Sequence, residues 1–204
     1  MGTLLEALAA QQLYNDSSWT KGAPIGSNPP GLACVDLRGT TALAGLDLAG
    51  ALLSDRDLTG ADLSGTDISY GRLNSAILRG VQARGFFAKK TEMIELDARG
   101  ADFTGARIIK CELWQARLDG ACFDRALLQE LPITNASLAG AALTGASLRS
   151  VRLDGTDLSG ADFTGASGSV IRARGAHPSW AGLDLVGALN ARGADVHYEG
   201  EEQA

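Results

Sequence analysis

The side chains with most chemistry to offer in this chain recur at a separation of 20 residues: Lys90 and Lys110, Glu92 and Glu112, Ile94 and Trp114. If the backbone returns to the same side of the molecule at that interval, the two carboxylates stand roughly 5 Å apart, the spacing of neighbouring strands. Like charges held so close repel, which raises the pKa of one of them and readies it for proton transfer. Glu92 and Glu112 are for that reason the candidate catalytic residues. A plainer reading competes with this one. Lys90 stands two residues before Glu92 and Lys110 two before Glu112, so the four alternate in sign and can form a surface ion-pair network. Lys89 and Arg107 add positive charge nearby, suited to an anionic ligand, a nucleotide-like molecule or an acidic partner surface.

Other reactive constellations are thin. The chain has 2 histidines, His177 and His197, both near its end, with no HxxxH pair, and no phosphate-cradling glycine loop is formed. The 3 cysteines, at 34, 111 and 122, make neither a disulfide framework nor a CxxC metal knuckle, which points to a reduced, cytoplasmic setting. No cofactor and no metal is expected. Cys111 falls where small buried residues recur, and Cys122 points outward with no histidine in view.

What must position these groups is a repeat. Every fifth residue from Leu43 to Phe163 is large and apolar except Ala83, Ala88 and Ala98. Two residues before it stands a small one, as at Ala61, Ala101, Ala121 and Ala161, and two after it often stands glycine, as at Gly60, Gly65, Gly100 and Gly165. A period of five fits neither a helical stripe nor a straight strand, whose periods are about 3.6 and 2. It closes if the chain bends once per repeat: the small residue and the large one point in, their neighbours point out, and the glycine-rich position turns the corner. Four such sides bring the chain back after 20 residues and stack successive coils at about 4.8 Å. The expected architecture is an all-β solenoid with parallel strands.

The units Ala61-Asp62-Leu63-Ser64-Gly65, Ala101-Asp102-Phe103-Thr104-Gly105 and Ala161-Asp162-Phe163-Thr164-Gly165 resemble the A(D/N)LXX unit of pentapeptide-repeat proteins. The resemblance covers at least residues 41–165. It implies a right-handed quadrilateral parallel β-helix. It implies less about activity, because members of the family range from topoisomerase-protecting resistance proteins to many of unassigned role, and a fold does not fix a function.

Composition agrees with a solenoid core of small residues and leucine. Apolar residues make up 45% of the 204-residue chain, but aromatics only 5%, so rings cannot dominate the packing. From 81 to 100 the consensus weakens without a change of length. Val81 precedes Ala83, Phe86 precedes Ala88 and Leu96 precedes Ala98, so one inward residue grows where the other shrinks and core volume is conserved. Residues 3–14 read as an amphipathic helix with Leu4, Leu5 and Leu8 on one face, a cap for the open end of the solenoid. The predicted organisation is a capping helix and connector over 1–34, a β-helix with a degenerate last coil over 35–196, and an acidic tail over 197–204.

Fixing the phase also fixes which residues face solvent. Most outward positions are polar, but Phe87, Ile94, Ile109, Trp114, Cys122, Leu127 and Pro132 break the rule within about three coils. An apolar patch bordered by Lys89, Lys90, Arg107 and Lys110 suits a contact surface with a tryptophan anchor. The first functional reading is a non-enzymatic scaffold that binds a protein there. The alternatives are gyrase protection by DNA mimicry, a form of antibiotic resistance that the family resemblance brings in, and a small-molecule enzyme or accessory factor of specialised metabolism built on coil 81–100. A formal charge of −6 argues against direct nucleic-acid binding. No long apolar run or basic leader points to a membrane or to export. Homodimerisation through an end cap stays open.

Overall fold

The computed structural model describes residues 36–169, 171–172 and 196–197. The expected N-terminal helix, its connector, most of the degenerate last coil and the acidic tail beyond His197 lie outside the described residues. Among them, parallel bridges join residues 20 apart along four columns, for example Asp47 to Asp67, Leu52 to Arg72, Asp57 to Ile77 and Asp62 to Gln82. Four columns mean four sides, and each bridge joins one coil to the next. The first side contains five short strands, β1 (Phe87–Lys89), β2 (Arg107–Ile109), β3 (Leu127–Gln129), β4 (Ser147–Arg149) and β5 (Ser167–Ser169), in one parallel sheet in that order. Its register is Phe87 to Arg107 to Leu127 to Ser147 to Ser167. The second side carries Glu92 and Trp114, the third Asp97 and Arg117, the fourth Asp102 and Cys122.

Hydrogen bonding explains why the repeat has this composition. In the unit Ala61 to Gly65, the amides of Asp62, Leu63 and Gly65 donate to carbonyls of adjacent coils, and that of Ala61 closes the preceding corner onto Leu58. The Ser64 amide is left without a backbone acceptor, and Asp62 Oδ1 takes it at 2.9 Å. Asp102 does the same for Thr104 and Asp162 for Thr164. The aspartate of the motif is therefore a local acceptor for the one amide that stacking cannot satisfy.

The interior is a column of leucines and phenylalanines lined by alanines, all buried. Phe103 and Phe123 stack with centroids 5.2 Å apart, and Phe86 meets Phe103 edge-on at 5.7 Å. Val81, Ala83, Phe86, Ala88, Leu96 and Ala98 are all buried, as volume conservation requires. Three inward alanine positions hold threonine instead, at 66, 91 and 156; each hydroxyl donates to a backbone carbonyl, of Leu43, Ile68 and Ile133 respectively. Buried hydroxyls are tolerated because each is paired. Beyond β5 the register changes. β6 (Ile171–Arg172) pairs in parallel with β7 (Val196–His197), a return of 25 residues where every earlier coil takes 20.

Candidate functional site

The corners carry an asymmetry that the repeat alone does not require. Each ends in a residue of positive φ, between 52° and 75°, a region in which a side chain costs about 1–2 kcal/mol. The corner between the third and fourth sides is glycine at 60, 80, 100, 120, 140 and 160, and the next is glycine except for Arg125. The two corners that flank the second side are different. One carries Tyr70, Lys90, Lys110, Glu130 and Ser150, the other Asp55, Ser75, Glu95, Gln115 and Asn135, all at positive φ. Ten strained side chains therefore border one side of the prism. Strain kept in this way is a pointer to function. The signal was present in the sequence as the scarcity of glycine at two of the four corners, where it occurs at Gly50 and Gly155.

Trp114 stands on that second side and is 48% exposed, the only large apolar side chain so exposed among the described residues. Ile94 lies one coil before it and in register, and both are joined to the neighbouring coils by backbone bonds, Ser75 to Ile94 and Glu95 to Trp114. Phe87, Ile94, Ile109, Leu127 and Pro132 all occupy outward positions, but each is half-buried. Of these outward apolar residues Trp114 alone is exposed. Phe87, Ile109 and Leu127 lie on the first side, and Ile94, Trp114 and Pro132 on the second, with the Lys90/Lys110 corner between them.

The charged groups do not form the expected network within single coils. Glu92 and Glu112 are bridge partners in register. Yet Glu92 is engaged by the preceding coil, with Arg72 Nε at 3.3 Å and Asn74 Nδ2 donating at 2.9 Å. Lys110 Nζ reaches Glu130 on the following coil at 3.2 Å, and Lys90 lies over the Tyr70 ring, 5.9 Å from its centre. The pairs run along the axis, where neighbouring coils are about 4.8 Å apart. Glu112 makes no side-chain hydrogen bond or ion pair among the described residues. Arg107 lies over the Phe87 ring at 5.2 Å, and Lys89 has no carboxylate partner among the described residues.

The remaining reactive groups are in structural positions. Cys111 is fully buried; its Sγ accepts the Thr91 amide at 3.5 Å and donates to the Ile109 carbonyl at 3.4 Å, and burial pushes its thiol above the usual range. Cys122 is half-buried with its sulfur 3.2 Å from Thr104 Oγ1. On the third side Asp97 is buried between Arg99 and Arg79, at 2.8 and 2.6 Å, and the Arg99 hydrogen bond, followed by that of Arg79, holds its carboxyl far below the usual range. No group of His, Cys, Asp or Glu among the described residues is arranged to hold a metal.

The coil geometry and the A(D/N)LXX chemistry agree with direct comparison. The chain matches the pentapeptide-repeat family, in 8 copies, over residues 43–81, 94–130 and 133–167. It belongs to that family, and its fold is the right-handed β-helix. Among solved structures it is similar to HetL, a pentapeptide repeat protein involved in heterocyst differentiation regulation in the cyanobacterium Nostoc, at 23% identity over 74% of this chain and 82% of that one, with a TM-score of 0.37. It is also similar to Rfr23 of the cyanobacterium Cyanothece, at 20% identity over 63% and 88%, with a TM-score of 0.44. A third likeness is to QnrB1, a plasmid-mediated fluoroquinolone resistance protein, at 21% identity over 81% and 86%, with a TM-score of 0.44. At these identities the likeness concerns the fold alone. No curated protein matches the chain.

Proposed function

We propose that this protein is a non-enzymatic binding scaffold whose partner, a protein, is held by the second side and the corner it shares with the first. The observation that carries this reading is Trp114, exposed on the one side whose two corners are built from strained side chains. Tryptophan is enriched among interface anchors, because it brings large area at small entropic cost. Capture of partners from a cell extract by the wild type is expected to fail with the pair Trp114→Ala and Phe87→Ser, while thermal stability changes little. Equal capture by wild type and variant refutes the assignment of the surface.

DNA mimicry at gyrase finds less support. Residues 41–180 hold 16 acids against 15 bases, whereas duplex DNA carries a charge about every 1.7 Å. The column with Asp62, Asp102 and Asp162 is interrupted by Gln82, Cys122 and Ala142. Its carboxylates are engaged locally, by Ser64, by Thr104 and Arg84, and by Thr164. The protein is therefore expected not to restore supercoiling by quinolone-inhibited gyrase at stoichiometric amounts; restoration reverses this ordering.

A further inference from the structure

We propose that the first side, from β1 to β4, is a docking surface for a carboxylate-rich protein segment that also carries apolar side chains. This extends the contact of the scaffold reading across the Lys90/Lys110 corner onto the first side, names the chemistry of the partner, and rests on that reading. The argument begins with charge. The strand positions present Lys89, Arg107 and Arg149, one bordering corner adds Lys90 and Lys110, and the other adds Arg125. In these coils the carboxylates on this side and its corners are Glu130, already paired with Lys110, and Asp124, whose Oδ1 accepts the Thr144 amide. A chain with a net charge of −6 thus concentrates cations on one side of four consecutive coils. Lys89, Arg125 and Arg149 have no carboxylate in ion-pair range among the described residues. Lys90 and Lys110 share one corner column, Lys90 reaching back over the Tyr70 ring and Lys110 forward to Glu130.

The apolar groups decide between an acidic protein and a nucleic acid. Surfaces that hold single strands do so by stacking bases on exposed aromatic rings. Phe87 is the one aromatic outward residue of these strands, and the Arg107 guanidinium already lies over its ring. Ile109 and Leu127 are aliphatic and half-buried, suited to the side chains of a peptide. The sheet that displays them is in strict register, so cations and apolar groups are fixed relative to one another before any partner arrives. Preorganisation of this kind lowers the entropic cost of association.

The test uses the full chain and a fluorescein-labelled peptide of glutamate and leucine, titrated by fluorescence anisotropy beside a glutamine and leucine peptide and a thymidine oligonucleotide of matched length. The acidic peptide is expected to bind saturably and to weaken at least about tenfold when salt rises from about 0.05 M to about 0.3 M. The triple variant Lys89→Glu, Arg107→Glu, Arg149→Glu should lose that binding, and Arg117→Glu on the third side should not. If circular dichroism shows the triple variant unfolded, Arg107→Gln alone must weaken binding. The proposal is overturned if the acidic peptide does not bind, if the reversals leave its affinity unchanged, or if the oligonucleotide binds more tightly than the peptide. Failure of the Trp114 assignment is separable: a Trp114→Ala protein that still captures its partner refutes that assignment, while the peptide titration reads the first side independently.

Discussion

Replacing Gln115 by glycine is expected to make the protein more stable and a poorer binder. Gln115 ends the corner after Trp114 with φ of 56°, and its exposed side chain makes no hydrogen bond among the described residues. Holding a side chain in that region costs about 1–2 kcal/mol. Glycine removes this strain but loses more freedom on folding, about 0.5–1 kcal/mol. The balance is a gain of up to about 1.5 kcal/mol, which for a chain of this size raises the melting temperature by up to about 6 °C. Urea unfolding measures it as a higher midpoint at unchanged slope. Gln115→Ala retains a Cβ and should gain nothing, so the informative quantity is the difference between the two variants. In the capture assay Gln115→Gly should lose affinity, since it strips one of the edges bordering Trp114. A glycine variant no more stable than the alanine variant would refute the argument that these corners store strain; a more stable variant with undiminished capture would refute its link to binding.

Leu138 is 1% exposed in the central column, so Leu138→Asp buries an unpaired charge at a cost of several kcal/mol and should abolish the parallel-β dichroism signal; a folded, equally heat-resistant variant would disprove the inward phase. Asp97 has its carboxyl depressed by Arg99 and then Arg79, so its contribution is present above the unfolded pKa, about 4, and is lost as pH falls toward the folded value. Asp97→Asn should therefore cost about 1–3 kcal/mol at neutral pH and flatten the acid limb of the stability profile, and an unchanged acid limb counts against the triad. In a Cys34→Ser background, a thiol reagent at neutral pH should label Cys122 in the native protein and Cys111 only on unfolding, because Cys111 is buried with its thiol pushed upward; rapid native labelling of Cys111 contradicts its placement.

Much of this molecule was legible in its sequence because a period of five leaves few geometric solutions. The alternation of small and large apolar residues from Leu43 to Phe163 determined which side chains fill the core, and the compensating pairs Val81/Ala83, Phe86/Ala88 and Leu96/Ala98 determined that coil 81–100 stays in register. Register then placed Glu92 on Glu112 and Ile94 beside Trp114, since column membership follows from counting alone. Contact between side chains does not follow from counting. Whether Glu92 turns to Lys90 in its own coil or to Arg72 in the preceding one depends on where the corner aims each long side chain, and the structure selects Arg72. How far Phe87, Ile109 and Leu127 emerge depends likewise on neighbours such as Arg107 that cover them from adjacent coils. The coil, its core and the list of outward residues follow from the order of residues, because they depend on local periodicity and volume. Which of these residues are paired and which are covered is settled in the folded molecule, because groups such as Asn74 and Glu92, 18 positions apart, meet when the coils stack.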